Sequence, residues 1–271
     1  MKEKIKNIAI IGAGHIGIAL AEGLLGLKGM RASNLIVASP SVAKKQELKK
    51  LGLTLTGNNK EAVRKADMVF LAVKPSVVEE VVMEIKDAAK DKIIVSLAAG
   101  VTVDRLRKAA GASAQIARIM PNIPIAVNQG VIGFFGGNTS AFEKASLKKI
   151  LFGLGLVIEI DTESDFDALT VVSGCGPGIA AYLLDSLAKS ALALGMSGEK
   201  ASKVVLQTFA GTLAYLKKSG KTPAELIKEV ATKGGVTEAI LSALEGSGTR
   251  KSFSLALREG KTRISHLKKR T

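Results

Sequence analysis

A glycine-rich loop near the amino terminus places the strongest demand on the fold. It follows a short apolar run, Ile8–Ile11, and precedes an amphipathic stretch at residues 18–27. The loop consists of Gly12, Ala13, Gly14, His15, Ile16 and Gly17. In a strand–turn–helix unit, the first glycine of this pattern permits a tight turn, the second admits a phosphate to the backbone, and the third lets helix and strand pack closely. The pattern predicts a dinucleotide site at a helix start, and a plain glycine turn is the alternative interpretation.

The end of the next predicted strand indicates which dinucleotide binds. An acidic residue there would hold the ribose 2′-hydroxyl of NAD, but the strand Leu35–Ala38 is followed by Ser39, Pro40 and Ser41, with Lys44 and Lys45 a turn later. Hydroxyls and lysines suit a 2′-phosphate. We therefore expect NADP, with NAD possible. The same serines could instead start and cap the following helix.

The order of strand-like and helix-like segments along the chain predicts two domains of different architecture. Up to residue 161, apolar strand candidates alternate with amphipathic crossover helices at residues 41–51 and 77–89, which is typical of a parallel sheet covered on both faces. The seven strand candidates are Ile8–Ile11, Leu35–Ala38, 68–73, 92–97, 115–120, 131–135 and 156–160. After Asp161 only helical patterns remain. We expect an α/β domain at residues 1–161 and a helical domain at residues 162–271.

The helical half contains recognisable start and stop signals. Ser197 can cap a helix that runs to about Leu216, Gly220 can end it, and Thr222 begins a capping box with Pro223 at the first helical position. Further segments are predicted at residues 237–244 and 252–267. Residues 168–184 are apolar but carry glycines and a proline at their centre, so we predict a buried helix and no membrane span. Apolar side chains on several helix faces favour a homodimer.

Composition narrows the class of protein. The chain has 271 residues, 47% of them hydrophobic, which excludes a disordered, collagen-like or low-complexity protein. Its 39 Lys and Arg exceed 24 Asp and Glu by 15. We nevertheless expect no nucleic-acid partner, because aromatic residues are only 4% and no nucleic-acid motif is present. One cysteine and a start unlike a signal peptide favour the cytoplasm.

Several further segments, in chain order, resemble pyrroline-5-carboxylate reductase. The resemblance extends from Ile8 to about Leu267 and is most specific between Pro223 and Ala239. It rests, after the glycine loop, on residues 71–75 (LAVKP), 96–102 (SLAAGVT), 118–122 (RIMPN) and 234–237 (GGVT). It implies a Rossmann-type doubly wound sheet domain, an all-helical dimerisation domain, and NAD(P)H-dependent reduction of a cyclic imine to proline.

The resemblance also implies roles for individual residues. Residues of the glycine loop together with Ser39 and Asn59 would contact the adenosine and the phosphates. Two segments would line the nicotinamide half of the site: Ala72, Val73, Lys74 and Pro75, and Ala98, Ala99 and Gly100. The substrate loop would comprise Thr232, Gly234, Gly235 and Thr237, where backbone N–H groups take the carboxylate and the Thr237 hydroxyl faces the ring nitrogen. Thr237 could alternatively cap the helix at residues 238–244.

The chemistry requires neither a histidine nor a metal, because a protonated imine is already an electrophile. His15 lies in the phosphate loop and His266 has no evident partner, so neither is expected to act as acid or base. The chain departs from the family at Cys175, Gly178, Ile179 and Lys233. A reductase of a related five- or six-membered imino acid is therefore an alternative. A non-catalytic dinucleotide sensor or nucleic-acid-binding protein is an alternative of another class.

Overall fold

The structure is a computed structural model that describes residues 5–41 and 46–270. Within them the chain forms an eight-stranded sheet of order β3-β2-β1-β4-β5-β6-β7-β8. Neighbouring strands are parallel except β6 and β7. The strands are β1 (Ile8–Ile11), β2 (Leu35–Ala38), β3 (Thr54–Thr56), β4 (Met68–Leu71), β5 (Ile93–Ser96), β6 (Gln115–Pro121), β7 (Gly130–Phe135) and β8 (Gly155–Glu159). Strand order reverses beside β1, so the predicted doubly wound sheet is confirmed.

Helices cover both faces of this sheet. Alternation along β1 places Ile8 and Ile10 in one buried cluster and Ala9 and Ile11 in another. Complete burial of each such isoleucine contributes about 1.5–3 kcal/mol, which explains the nearly continuous apolar runs. The helices of this region are α1 (His15–Leu25), α2 (Gln46–Lys50), α3 (Asn59–Arg64), α4 (Val78–Ile85), α5 (Val103–Ala110) and α6 (Ala141–Leu154).

The sheet domain contains a strand that the sequence did not predict and a helix that is shorter than predicted. The sequence patterns missed β3, because Thr54–Thr56 is short and its side chains are exposed or half-buried. The helix expected at residues 41–51 is observed only as Gln46–Lys50. Residues 42–45 lie outside the described residues.

The remainder of the chain is helical. Thr222 accepts a backbone hydrogen bond from Glu225, whose carboxylate accepts from the Thr222 N–H, and this confirms the capping box with Pro223 inside it. Gly220 ends the preceding helix in the left-handed region, as predicted. The helices are α7 (Phe166–Leu169), α8 (Gly176–Ala193), α9 (Gly198–Ser219), α10 (Pro223–Val230), α11 (Val236–Gly246) and α12 (Thr249–Arg270), with a π-helical turn at Thr170–Gly174.

Contacts divide the chain into two compact units. One unit ends at Pro177 and also takes the chain from Lys261 onward, and the other is Gly178–Gly260. The boundary expected after residue 161 follows the last strand, which ends at Glu159. The division at residue 161 between a dinucleotide-binding domain and a helical dimerisation and substrate domain stays a prediction.

The stretch that contains α8 is apolar and exposed. By length and composition alone, Glu163–Ala193 is long and apolar enough to cross a membrane. Of its most apolar 18 residues, 6% are buried. The expectation that residues 168–184 form a buried helix is wrong for the single chain, because no residue of α8 is buried and Tyr182 is 72% exposed. Apolar side chains left uncovered by their own chain favour burial against another molecule.

Candidate cofactor and substrate site

The predicted cofactor residues gather at one edge of the sheet. Parallel strands bring their carboxyl ends to the same side, and β1 to β5 are each followed by one predicted segment. Backbone hydrogen bonds tie these segments together: Gly12 N–H donates to the Ala38 carbonyl at 2.8 Å and Ala72 N–H to the Ile11 carbonyl at 2.8 Å. The structure therefore brings together the glycine loop, Ser39, Asn59 and the segments that begin at Ala72 and Ala98.

Steric limits around the glycine loop match its expected roles. Gly12 has φ +113°, and a Cβ there would lie 2.5 Å from the Ala72 carbonyl oxygen. A Cβ on Gly17 would lie 2.1 Å from the Gly12 carbonyl oxygen, so helix and turn are in close contact. Around Gly14 a Cβ would meet nothing within 4 Å. The loop is closed where the fold requires contact and open where a ligand is expected.

The start of α1 fits a diphosphate. Gly14 is the N-cap residue, no side chain caps the helix, and its first turn contains no acidic residue. An uncapped helix start offers N–H donors and a partial positive charge to an anion. His15 is the first helical residue and is exposed, which agrees with a place beside the phosphates. The residues present therefore fit a dinucleotide.

The end of β2 carries hydroxyl groups without a carboxylate. Ser39 is only 9% exposed, its N–H donates to the Thr56 carbonyl at 3.2 Å, and its Oγ lies 3.4 Å from the Ser41 Oγ. No acidic side chain is present at residues 38–41, all of which are described. Lys44 and Lys45, which the NADP expectation also used, lie outside the described residues.

Asn59 lies at the start of α3 beyond β3. The neighbouring Asn58, rather than Asn59, caps this helix by accepting from the Glu61 N–H. The Asn59 amide donates to Glu84 at 2.8 Å, and its Oδ1 is buried without a hydrogen-bond partner in the described part of the chain. That oxygen can accept a hydrogen bond from a ribose hydroxyl of the cofactor.

Two turns complete this edge. After β4, Lys74 is exposed and precedes a 3₁₀ turn that Pro75 begins, whereas Val73 is half-buried. After β5, Ala98 is buried and its N–H donates to Ser96 Oγ at 3.2 Å, while Ala99 is exposed and Gly100 adopts φ +76°. Gly100 thus takes a conformation that favours glycine.

A charged pair, Arg118 and Glu163, contacts the turn of residues 98–100, and the sequence analysis predicted no role for it. Arg118 on β6 is 4% exposed. Its Nη1 donates to Glu163 at 2.6 Å and its Nη2 to the Ala98 carbonyl at 3.3 Å. Arg118 also stacks over Phe166, 4.8 Å from the ring centroid. Glu163 is 45 residues away along the chain, so no local spacing could have indicated the pair.

Asn122 at the end of β6 connects the sheet to the π-helical turn. Its Oδ1 accepts from the Val131 N–H at 2.8 Å and its Nδ2 donates to the Ser173 carbonyl at 3.1 Å. Pro177, four residues after Ser173, has no N–H to offer that carbonyl. Asn122 therefore satisfies an acceptor that the proline leaves open.

The predicted substrate residues surround the start of α11. Gly234 has φ +75°, and Gly235 is the N-cap residue of a helix with no side-chain cap. The possibility that Thr237 caps the helix is wrong, because α11 begins at Val236 and Thr237 is its second residue. Gly234 N–H donates to the Glu238 carboxylate at 2.7 Å and Gly235 N–H to the Thr232 carbonyl at 2.9 Å. The loop already holds a carboxylate at its first glycine.

Comparison with family models identifies both halves of the chain. Residues 7–100 match the model described as "NADP oxidoreductase coenzyme F420-dependent". Residues 163–267 match "Pyrroline-5-carboxylate reductase dimerisation". No group of three or more His, Cys, Asp or Glu suited to a metal occurs among the described residues.

Individual relatives cover nearly the whole chain. Pyrroline-5-carboxylate reductase 3 of Danio rerio is 35% identical over 90% of this chain and 85% of its own. The pyrroline-5-carboxylate reductase of Corynebacterium melassecola is 34% identical, over 91% and 93%. The crystal structure of Plasmodium falciparum pyrroline carboxylate reductase with NADP bound has a TM-score of 0.87 and 28% identity, and covers 97% of this chain and 98% of that one.

The doubly wound sheet, the open glycine loop and the helical second half define a nicotinamide-dependent oxidoreductase of the Rossmann type. The relatives narrow the class further. The chain belongs to the pyrroline-5-carboxylate reductase family. The family and fold class predicted from the sequence are confirmed, as is the use of a nicotinamide dinucleotide.

Proposed function

We propose that this protein reduces 1-pyrroline-5-carboxylate to L-proline with NADPH, and that NADH can replace NADPH. The observation that carries the proposal is 35% identity to a reductase of this name over 90% of the chain, combined with a glycine loop that is open only at Gly14. The bound nicotinamide supplies a hydride to the imine carbon, and a proton reaches the ring nitrogen, so that C=N becomes CH–NH.

The cofactor is held along the carboxyl edge of the sheet. Residues 12–17 bind the diphosphate, while Ser39 and Asn59 bind the adenosine half. The segments of residues 72–75 and 98–100 line the nicotinamide. The preference for NADPH rests on the missing carboxylate at residues 38–41, since an acidic side chain there would repel a 2′-phosphate and favour NAD.

The substrate is held by the loop before α11. Its carboxylate takes the Gly234 N–H that Glu238 occupies and receives further N–H donors from the uncapped start of α11. Thr232 and Gly235 shape this loop, since a Cβ on Gly235 would lie 2.6 Å from the Thr232 hydroxyl oxygen. The Thr237 hydroxyl hydrogen-bonds the ring nitrogen or a water beside it.

Catalysis consists mainly of positioning. The imine carbon of a protonated substrate accepts hydride without a metal or a strong acid, so the protein must align the two reactants. When two reacting groups are held in the correct orientation, the effective molarity of one toward the other is on the order of 10⁵ M or more. The anchors of the substrate carboxylate and nitrogen provide that alignment in this chain.

The same proposal covers assembly and location. Residues 1–161 carry the dinucleotide and residues 162–271 carry the dimer contacts and the substrate loop. Side chains left uncovered in the single chain, such as Tyr182 on α8, fit a homodimer or an oligomer of dimers. We place the protein in the cytoplasm, away from membranes and nucleic acid. The apolar stretch Glu163–Ala193 lies entirely within the residues that match the dimerisation model, so we assign it to contacts between chains.

Kinetics with matched substrates test the proposed reaction. Purified protein is assayed by nicotinamide absorbance with five- and six-membered cyclic imino acids, each with NADPH and NADH. We expect the highest kcat/KM for 1-pyrroline-5-carboxylate with NADPH. A higher value for the six-membered ring would assign the related activity that Cys175 and Lys233 suggest. Saturable dinucleotide binding without turnover of any imine would instead favour a sensor.

A further inference from the structure

Arg118 connects the cofactor edge to the segment that leads into the helical half. It lies on β6, the neighbour of β5, and is 4% exposed. One end of its guanidinium donates to the carbonyl of Ala98, at the first position of the turn of residues 98–100. The other end donates to Glu163, whose side chain is 23% exposed. A planar guanidinium with two directed donors holds both acceptors in fixed orientation.

Glu163 extends the connection to a third segment. The carboxylate oxygen that accepts from Arg118 also accepts from the Val103 N–H at 3.0 Å. Val103 is the first residue of α5, three residues after Gly100. The segment of residues 98–103 is therefore held at both ends, because Arg118 donates to the Ala98 carbonyl and Glu163 accepts from the Val103 N–H.

Burial of the Arg118 charge makes this contact unfavourable in desolvation free energy. Removing the Arg118 charge from water carries a desolvation penalty, and apolar residues of equal volume are often at least as stabilising as such a pair. Arg118 also leaves its Nε buried without a hydrogen-bond partner in the described residues. Phe166 stacks against the guanidinium and limits its movement. The pair thus contributes fixed geometry more than stability.

We propose that Arg118 and Glu163 are positioning residues that fix the turn of residues 98–100, and through it the nicotinamide ring relative to the imine carbon. This inference rests on the proposed function, which assigns that turn to the nicotinamide. Neither side chain touches a reacting atom. Their loss alters the distance and alignment of hydride transfer, which depend steeply on position.

Two conservative variants test the role. Arg118→Lys keeps the charge but loses the planar pair of donors, and Glu163→Gln keeps an acceptor for the Val103 N–H but loses the charge. We expect each to lower kcat and to raise the KM and Kd for NADPH by about tenfold, the range for losing one hydrogen bond to a charged group. The primary deuterium isotope effect with NADPH deuterated at C4 should increase and become temperature-dependent.

Leu151→Ala is the matched control for stability. Leu151 is fully buried on α6, so its truncation lowers the melting temperature and leaves the isotope effect and the NADPH constants unchanged. The proposal is overturned if Arg118→Lys and Glu163→Gln behave like this control. Should one of the two fail to fold, the other decides on the same criteria.

NADPH binding separates this inference from the proposed reaction. If the wild-type protein binds NADPH but reduces no imine, the proposed function fails. The Kd values for NADPH, followed by its fluorescence, then still decide the inference. Weaker binding by both variants but not by Leu151→Ala supports it, and equal binding by all three overturns it.

Discussion

At the scale of single residues, two glycines of the loop after β1 meet opposite surroundings. Gly17 has no room for a methyl group, whereas Gly14 faces open space within the chain itself. Gly17→Ala should lower the free energy of unfolding by about 1–3 kcal/mol through overpacking. Gly14→Ala should leave it nearly unchanged and raise the KM for NADPH about tenfold, because the methyl group occupies the place of the diphosphate.

Thermal unfolding and NADPH titration of the two variants check this contrast. Tight NADPH binding by Gly14→Ala would show that the phosphates do not approach this residue. An unchanged melting temperature of Gly17→Ala would contradict the close contact between Gly17 and Gly12.

Thr237 offers a second test at this scale. Removal of its hydroxyl in Thr237→Ala should reduce kcat/KM for the imine by about 10²-fold, the lower range for loss of a group that assists proton transfer. Thr237→Ser keeps the hydroxyl and should retain most of the activity. Steady-state kinetics of both variants measure the difference. Equal rates for the two would remove Thr237 from the mechanism.

Local patterns in the sequence predicted the glycine loop, and the family resemblance added the segments at residues 72–75 and 98–100. Neither indicated the charged pair of Arg118 and Glu163. The roles of Gly12 and Gly17 follow from spacing within one turn. The contact between Arg118 and Glu163 depends on two segments that only the folded sheet brings together. Thr237 was a possible cap because threonine often caps helices; the structure gives that position to Gly235.

At the scale of elements, Lys92 secures the end of α3. Its ammonium donates to the carbonyls of Val63, Arg64 and Ala66 at 2.6, 3.1 and 2.6 Å. These carbonyls lie at and just beyond the helix end, where acceptors lack partners and a cation is favourable. Partial burial lowers the pKa of Lys92, and the charge of Asp67 opposes this shift.

Lys92→Met should lower the free energy of unfolding by about 2 kcal/mol, because the carbonyls at the end of α3 lose a charged donor. The exposed Lys90 is the control, and Lys90→Met should change stability by less than about 0.5 kcal/mol. Denaturant unfolding measures both. Equal stability of the two variants would contradict the role of Lys92.

Strand prediction failed at β3, which is short and weakly buried. The strands β1, β2, β4 and β5 are buried along their whole length, so their apolar runs were evident. Thr54–Thr56 lies at the edge of the sheet and has no such run. The expectation of a parallel sheet is wrong at β7, which runs antiparallel to β6, because hydrophobic patterns do not encode strand direction.

At the scale of the whole molecule, the helical half exposes much apolar surface in the single chain. Leu194 is 89% exposed, Val236 78% and Tyr182 72%. Such surface is unusual in a monomer. The predicted burial of α8 therefore depends on a second chain.

Light scattering should give a mass of twice 28.2 kDa or a multiple of that value. Tyr182→Asp should reduce the assembly, because it places a charge in apolar contact surface. Lys200→Ala on α9 replaces an exposed lysine and should leave the mass unchanged. A monomeric wild-type protein would contradict the proposed assembly.

The decisive measurement is a crystal structure of the protein grown with NADPH. We expect the diphosphate at the start of α1 beside Gly14, the adenosine near Ser39 and Asn59, and the nicotinamide against the turn of residues 98–100. Ordered NADPH at any other surface, or an empty carboxyl edge in protein saturated with NADPH, would contradict this placement of the cofactor.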